Sequence, residues 1–298
     1  MMRTRQLRLA LVAALTFALT GCLSHTDAAA PTATTATQPA VAVNLGVDAH
    51  ALVTAAVPAE ISAYLKGTGE RAGVAVLDRS TGLTLAVQPH LDFQTASIMK
   101  VDILAARLLQ HQKSGTSMNG NEKSLAFAMI TESDNNAASA LYTLDGQQGG
   151  VSAANQKFGM SETAPHGGGK WGMTVTTPSD QLALLTAIMD PNGPLNTTSR
   201  NYMLNLMSHV DKAQDWGVPA AATSAATDVY VKNGWDTIDA QGGLWGINSI
   251  GRIIEPGHDW LVATLSSNHR TMNSGVKVVE QLSKLAVGGL RLEASLAE

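Results

Sequence analysis

The sequence predicts an α+β fold in which one mostly antiparallel sheet is built from chain segments far apart in sequence. Three observations predict it. Strand patterns occur early, at Gly73 to Asp78 and Leu83 to Val87, and the stretch from about Ser97 to Arg200 is rich in helical patterns. Strand patterns then return late, at Val229 to Asn233, Gly246 to Ile254 and Trp260 to Ser266.

In chain order, Asp48 to Leu65 reads as a helix interrupted or kinked at Pro58, because proline removes a helical N–H. The two early strands are joined by Arg79-Ser80-Thr81-Gly82, whose glycine suits a tight turn. Val101 to Gln110, Leu125 to Thr131 and Pro178 to Met189 carry the helical spacing of the insert, and Gly275 to Val287 reads as a closing helix. The folded domain is therefore expected over residues 48–298, with a sheet part at about 48–90 and 225–298 and a helical part at about 91–224.

The chain has 298 residues, of which 45% are apolar and only 15% charged, enough to bury a large core. A net charge of −4 favours neither nucleic acid nor an anionic membrane surface as a partner, and a monomer is expected. The single cysteine, Cys22, excludes an internal disulfide, and the eight histidines include no metal-binding pair, so no metal or other cofactor is expected.

Cys22 ends a readable leader. Arg3, Arg5 and Arg8 precede an apolar run from Leu9 to Leu19, too short for an ordinary membrane helix, so residues 1–21 read as a signal peptide. Leu19-Thr20-Gly21-Cys22 resembles the lipobox of bacterial lipoproteins, which implies lipidation at Cys22 and an exported protein anchored to the cell membrane. Residues 22–47, mostly Ala, Thr and Pro, bury too little apolar area to order themselves and read as a tether.

Three short motifs fall in order. Ser97-Ile98-Met99-Lys100 opens an apolar helix, Ser133-Asp134-Asn135 follows a helical run, and Lys232-Asn233-Gly234 ends the strand-like Val229-Tyr230-Val231. Taken singly each is commonplace: Ser-Asp-Asn caps helices and Lys-Asn-Gly can turn a hairpin. Their order and spacing carry more. Residues 97 and 100 face the same way on one helix, so an amine can take the hydroxyl proton, and a helix N-terminus at Ser97 favours a developing oxyanion. That amine must be partly neutral, which burial or the nearby charge of Lys232 would achieve.

This set resembles the S-x-x-K, S-D-N and K-T-G signature of class A β-lactamases and penicillin-binding proteins. The segment Ala128 to Ala138 and the stretch Thr176-Thr177-Pro178 extend the likeness, which covers roughly Gly73 to Val287. The resemblance implies a β-lactamase/transpeptidase-like fold, an antiparallel sheet flanked by terminal helices with a helical insert carrying the active-site cleft. It further implies Ser97 as nucleophile, Lys100 as proton acceptor and Ser133 as proton donor to the leaving nitrogen. Asn135 would bind the substrate's side-chain amide, Lys232 its carboxylate, and the N–H groups of Ser97 and Trp235 the oxyanion. Lys232, Asn233, Gly234 and Trp235 together form the expected substrate-binding strand.

Departures from the family bear on turnover. Its Ω-loop glutamate, which activates water for deacylation, has no counterpart in the Glu-x-x-x-Asn sense between Glu162 and Val175, and Glu162 is left out of the catalytic set. Asn233 replaces the usual threonine or serine. The segment between Lys100 and Ser133 is shorter than in typical class A enzymes. Gly167-Gly168-Gly169 reads as a mobile loop, and Trp216, Trp235, Trp245 and Trp260 as core or cleft walls. Three functions follow from the resemblance: a β-lactamase-type serine hydrolase, slow for want of the glutamate; a penicillin-binding-type D-Ala-D-Ala peptidase; or a catalytically silent binding lipoprotein. The expected partner is a small β-lactam or peptidoglycan-like substrate.

Overall fold

A computed structural model describes residues 49–297; the expected signal peptide, the Cys22 lipidation site and the tether lie outside the described residues. Five strands form one antiparallel sheet: β1 (Arg71–Asp78), β2 (Thr84–Val87), β5 (Asp228–Ile238), β6 (Leu244–Glu255) and β7 (His258–His269), in the order β2-β1-β7-β6-β5. The early strands thus pair with the last one, Val74 opposite Thr264 and Val76 opposite Val262. A two-stranded ribbon, β3 (Phe93–Gln94) with β4 (Val175–Thr176), lies outside that sheet and was not expected.

Both faces of the sheet are covered, and side-chain alternation explains how. On β7, Leu261, Ala263 and Leu265 join the core beneath the helical insert, whereas Trp260 and Val262 join a second core with the terminal helices α1 (Ala49–Thr68) and α8 (Met272–Ala297). Gly289 on α8 permits a close approach of α1, since a Cβ there would lie 2.5 Å from a Val57 methyl. The helix α1 runs without a break through Pro58, contrary to the expected interruption. Its apolar side chains Val57, Ile61 and Leu65 are buried in that second core, which outweighs the loss of one hydrogen bond.

The insert contains α2 (Met99–Ser114), α3 (Gly120–Phe127), α4 (Asn135–Leu144), α5 (Gln147–Lys157), α6 (Pro178–Met189) and α7 (Thr197–Met207). Local chemistry sets the ends. Gly115 closes α2 at φ 67°, Asn119 and Glu122 form a reciprocal capping box on α3, and Thr177 accepts from the Asp180 N–H ahead of Pro178 at the start of α6. The helical run expected to Thr131 instead breaks at Phe127 into a π-helical turn, Ala128–Glu132.

One strand corrects the sequence reading directly. Lys232-Asn233-Gly234 neither ends a strand nor makes a turn: it lies in the middle of β5, which continues to Ile238 in unbroken register with β6. Among the described residues no helix is long and apolar enough to cross a membrane.

Candidate active site

The site forms where the edge strand β5 meets the start of α2. Thr95 to Ile98 makes a tight 3-10 turn that feeds α2, and Ala96 within it adopts φ 46°. A left-handed conformation in a residue with a Cβ costs on the order of 1 kcal/mol and persists only when its surroundings impose it. Here they do: Asn248 of β6, fully buried, donates its amide hydrogens to the carbonyls of Gln94 (2.8 Å) and Thr95 (3.1 Å), clamping the turn to the sheet.

Gly234 completes the junction. A Cβ on it would lie 2.6 Å from the Thr95 carbonyl and 2.9 Å from the backbone nitrogen of Ser97, so only glycine lets β5 pass this close. This close approach, rather than a turn, is why a glycine stands mid-strand.

Ser133 is reached from the other side. The π-helical turn ends with Ser133 at φ 59°, after which Asp134 caps α4 by accepting from the Ala137 N–H at 2.6 Å. An inserted π-turn of this kind re-aims the residue that follows it. The result presents both the carbonyl and the hydroxyl of Ser133 to α2.

At the centre is Lys100, fully buried, whose Nζ has four acceptors within hydrogen-bond distance for its three N–H donors: Ser97 Oγ (2.8 Å), Ser133 O (2.6 Å), Ser133 Oγ (3.0 Å) and Asn135 Oδ1 (2.8 Å). Burial pushes its pKa down to about 8, against a smaller opposing pull from the Asp134 carboxylate. Lys232, also fully buried, donates to Ser133 Oγ (3.0 Å), the Asn233 carbonyl (3.1 Å) and Gln214 Oε1 (3.4 Å). Burial first, and the neighbouring charge of Lys100 second, hold its amine well below the usual lysine range. The two ammonium groups therefore share one hydroxyl, which links Ser97, Lys100, Ser133 and Lys232 in one chain.

Ser97 is only half-buried and opens on a cleft of about 310 Å³, lined also by Asn135, Trp171, Trp235, Asp236 and Trp245. The edge position of β5 leaves one row of its backbone groups without a strand partner on this side.

Of the expected site residues, Ser97, Lys100, Ser133, Asn135, Lys232, Gly234 and Trp235 meet around this cleft. Asn233 does not face it. Its Nδ2 donates to the carbonyls of Gln214 (2.7 Å) and Trp216 (2.9 Å), which uses both amide hydrogens and leaves only a buried oxygen. It holds the 214–216 segment, and Gln214 of that segment accepts from Lys232. An oxygen acceptor cannot bind a carboxylate, so the expected substrate contact at Asn233 is replaced by a positioning one.

Glu162 is engaged elsewhere: His90 lies 3.0 Å from one carboxylate oxygen, Thr177 donates to the same one at 2.9 Å, and these contacts hold the carboxyl below its usual range. The triple-glycine loop is tied at both ends, with Tyr142 Oη donating to the His166 carbonyl (2.7 Å) and Ala164 bridging Val175. Trp260 and Trp216 are core residues, while Trp235 and Trp245 line the cleft.

Several neighbours were missed. Trp171 lines the cleft with its ring centroid 5.0 Å from Lys100 Nζ and its indole N–H donating to Ser139 Oγ (3.1 Å). Its place depends on the whole 165–174 loop, for which no local signal exists. Asp236 could have been found by counting two residues on from Gly234. Among the described residues no group of three or more metal-ligating side chains assembles.

With this geometry the comparisons agree. A family model described as "Beta-lactamase enzyme family" matches residues 110–290. Among solved structures, PBP-A superposes with a TM-score of 0.69 at 19% identity over 80% of this chain and 97% of its own, and a PBP-A variant has been solved as an acyl-enzyme complex with penicillin G. The TLA-1 extended-spectrum β-lactamase gives 0.70 at 21% identity (80% and 99%), and the class A β-lactamase from Mycobacterium abscessus 0.66 at 19% (79% and 99%). At these identities the likeness is one of fold. LppW, a candidate lipoprotein by name, of Mycobacterium tuberculosis and Mycobacterium bovis, is 25% identical over 173 residues, 56% of this chain and 54% of its own length. The chain thus spans about half the length of the curated relatives it matches. Because the family model covers well over half of the chain and the fold agrees independently, the chain belongs to the beta-lactamase enzyme family.

Proposed function

We propose that this protein is a serine hydrolase that forms an acyl-enzyme on Ser97, with β-lactams as substrates and slow release of the acyl group. The observation that carries the proposal is the 2.8 Å contact between Ser97 Oγ and the Nζ of Lys100, a fully buried lysine. An ammonium can only donate to Ser97; once deprotonated, the same nitrogen accepts the hydroxyl proton. The Ser97 oxygen then attacks the lactam carbonyl, the C–N bond breaks, and Ser133 hands a proton to the leaving nitrogen, drawing on Lys100 or Lys232 at 3.0 Å. The backbone N–H groups of Ser97 and Trp235 supply the oxyanion site, Lys232 attracts the substrate's carboxylate, and Asn135 holds its side-chain amide.

The pH dependence tests this. Only neutral Lys100 is a base, and its pKa lies at about 8, so the single-turnover acylation rate should rise with pH through about 8 and level off above it. Below that it should fall roughly tenfold per unit as the amine protonates. A profile flat between pH 6 and 9 would exclude Lys100 as the base (about two units below to one above).

A second reading is favoured by Glu162, whose carboxylate is held by His90 and Thr177 and does not line the cleft. With no base to activate water, a penicillin-binding-type D-Ala-D-Ala peptidase would release D-alanine as it acylates Ser97 and pass the acyl group to a peptide amine rather than to water. Release of D-alanine from a cell-wall peptide mimic distinguishes it.

The exported, lipid-anchored location rests on Leu19-Thr20-Gly21-Cys22 and on the name of the relative LppW. Replacing Cys22 by alanine should move the protein from the membrane fraction to the soluble exported one or leave it unprocessed. Unchanged labelling by a fatty-acid probe in Cys22→Ala would contradict lipidation there.

A further inference from the structure

The face that β5 turns toward Ser97 continues past Gly234. Side chains alternate along a strand, so Lys232, Gly234 and Asp236 project to the cleft side, while Val231 packs into the α1/α8 core and Trp235 sits edge-on to Trp216, ring centroids 5.9 Å apart. Asp236 therefore continues the row that begins with the lysine, with roughly 13 Å of strand between the two Cα atoms. Its carboxylate is exposed in the cleft. One oxygen accepts the Thr237 backbone N–H at 2.8 Å, and among the described residues no Lys, Arg or His pairs with it.

The cleft is thus polarised. Behind its inner end the buried Lys100 and Lys232 reach Ser97 and Ser133, its outer end holds an uncompensated carboxylate, and Trp171 and Trp245 also line it. A substrate carboxylate directed to Lys232 leaves the acyl side chain at the Asp236 end, where a negative group would be repelled. Aromatic surface receives a flat or aliphatic body, and its faces also attract cations. Resting on the serine-acylation reading above, we infer that the cleft selects substrates whose acyl side chain carries an ammonium group on an apolar body, with Asp236 as the residue that reads the charge.

The test compares penicillin G with its para-aminomethyl analogue, which differs by one ammonium group on the phenyl ring, using the full chain and the second-order acylation rate. The cationic analogue should acylate roughly 1.5- to fivefold faster, the range expected for a solvent-exposed ion pair. Asp236→Asn should bring the ratio of the two rates to about one, Asp236→Glu should keep the preference, and Asp236→Lys should reverse it. Because each variant is read as a ratio within one protein, a general loss of activity does not mimic the result. Equal rates in the natural protein, or a preference that survives Asp236→Asn, would overturn the inference while leaving acylation of Ser97 intact. Failure of both compounds to acylate Ser97 would overturn the serine-acylation reading and this inference with it.

Discussion

Lys100→Ala should abolish acylation as completely as Ser97→Ala, each lowering the second-order rate on the order of a thousandfold or more, with the double variant no worse than either alone. The reason is structural. Ser97 Oγ has Lys100 Nζ at 2.8 Å, and the other amine, Lys232, touches Ser133 rather than Ser97. Removing Lys100 leaves the hydroxyl without a base, and also strips the Ser133 carbonyl and the Asn135 oxygen of their shared donor. A thermal melt should accompany the kinetics, since those acceptors lose a partner in a partly buried place. A folded Lys100→Ala protein that acylates at the unaltered rate would refute its assignment as base.

The second large effect concerns release. A burst of one equivalent of ring-opened β-lactam per chain should precede a steady state slower on the order of 10²–10⁴-fold, which is what loss of a general base costs. Acylation has its parts in place: nucleophile, base, proton relay and the close pass of Gly234 beside the Ser97 turn. Deacylation needs a water held by a base, and Glu162 is occupied by His90 and Thr177. His166, which leads into the triple-glycine loop, lies 2.7 Å by its Nδ1 from the Gly167 carbonyl. Stopped-flow traces showing many fast turnovers without a burst would contradict slow release.

How far these features could be read from the residues depends on whether their cause is local. Pro178 to Met189 was read with its observed limits because a threonine cap and a first-turn proline mark one end. The strands at both ends of the domain are legible from β-branched and alternating runs; β2 starts one residue later than its run, while the late strands extend further than theirs, since pairing with β6 carries β5 on past Gly234 through Asp236 to Ile238. Lys232-Asn233-Gly234 misled for the opposite reason. Asn and Gly favour turns locally, yet here Gly234 answers a contact with Thr95 and Ser97, and Asn233 answers the carbonyls of Gln214 and Trp216. Both causes are tertiary. The same holds for the strained Ala96, the Asn248 clamp and Trp171, whose roles exist only once β6, α2 and the 165–174 loop meet.

The central claim, that Ser97 is acylated, is tested most directly by the intact mass of the full chain, quenched at intervals after mixing with penicillin G. A mass increase of one penicillin per chain, located on Ser97 by peptide mapping, absent in Ser97→Ala and persisting long after acylation is complete, is the predicted result. An unchanged mass at every interval, together with intact penicillin in solution, would contradict the account.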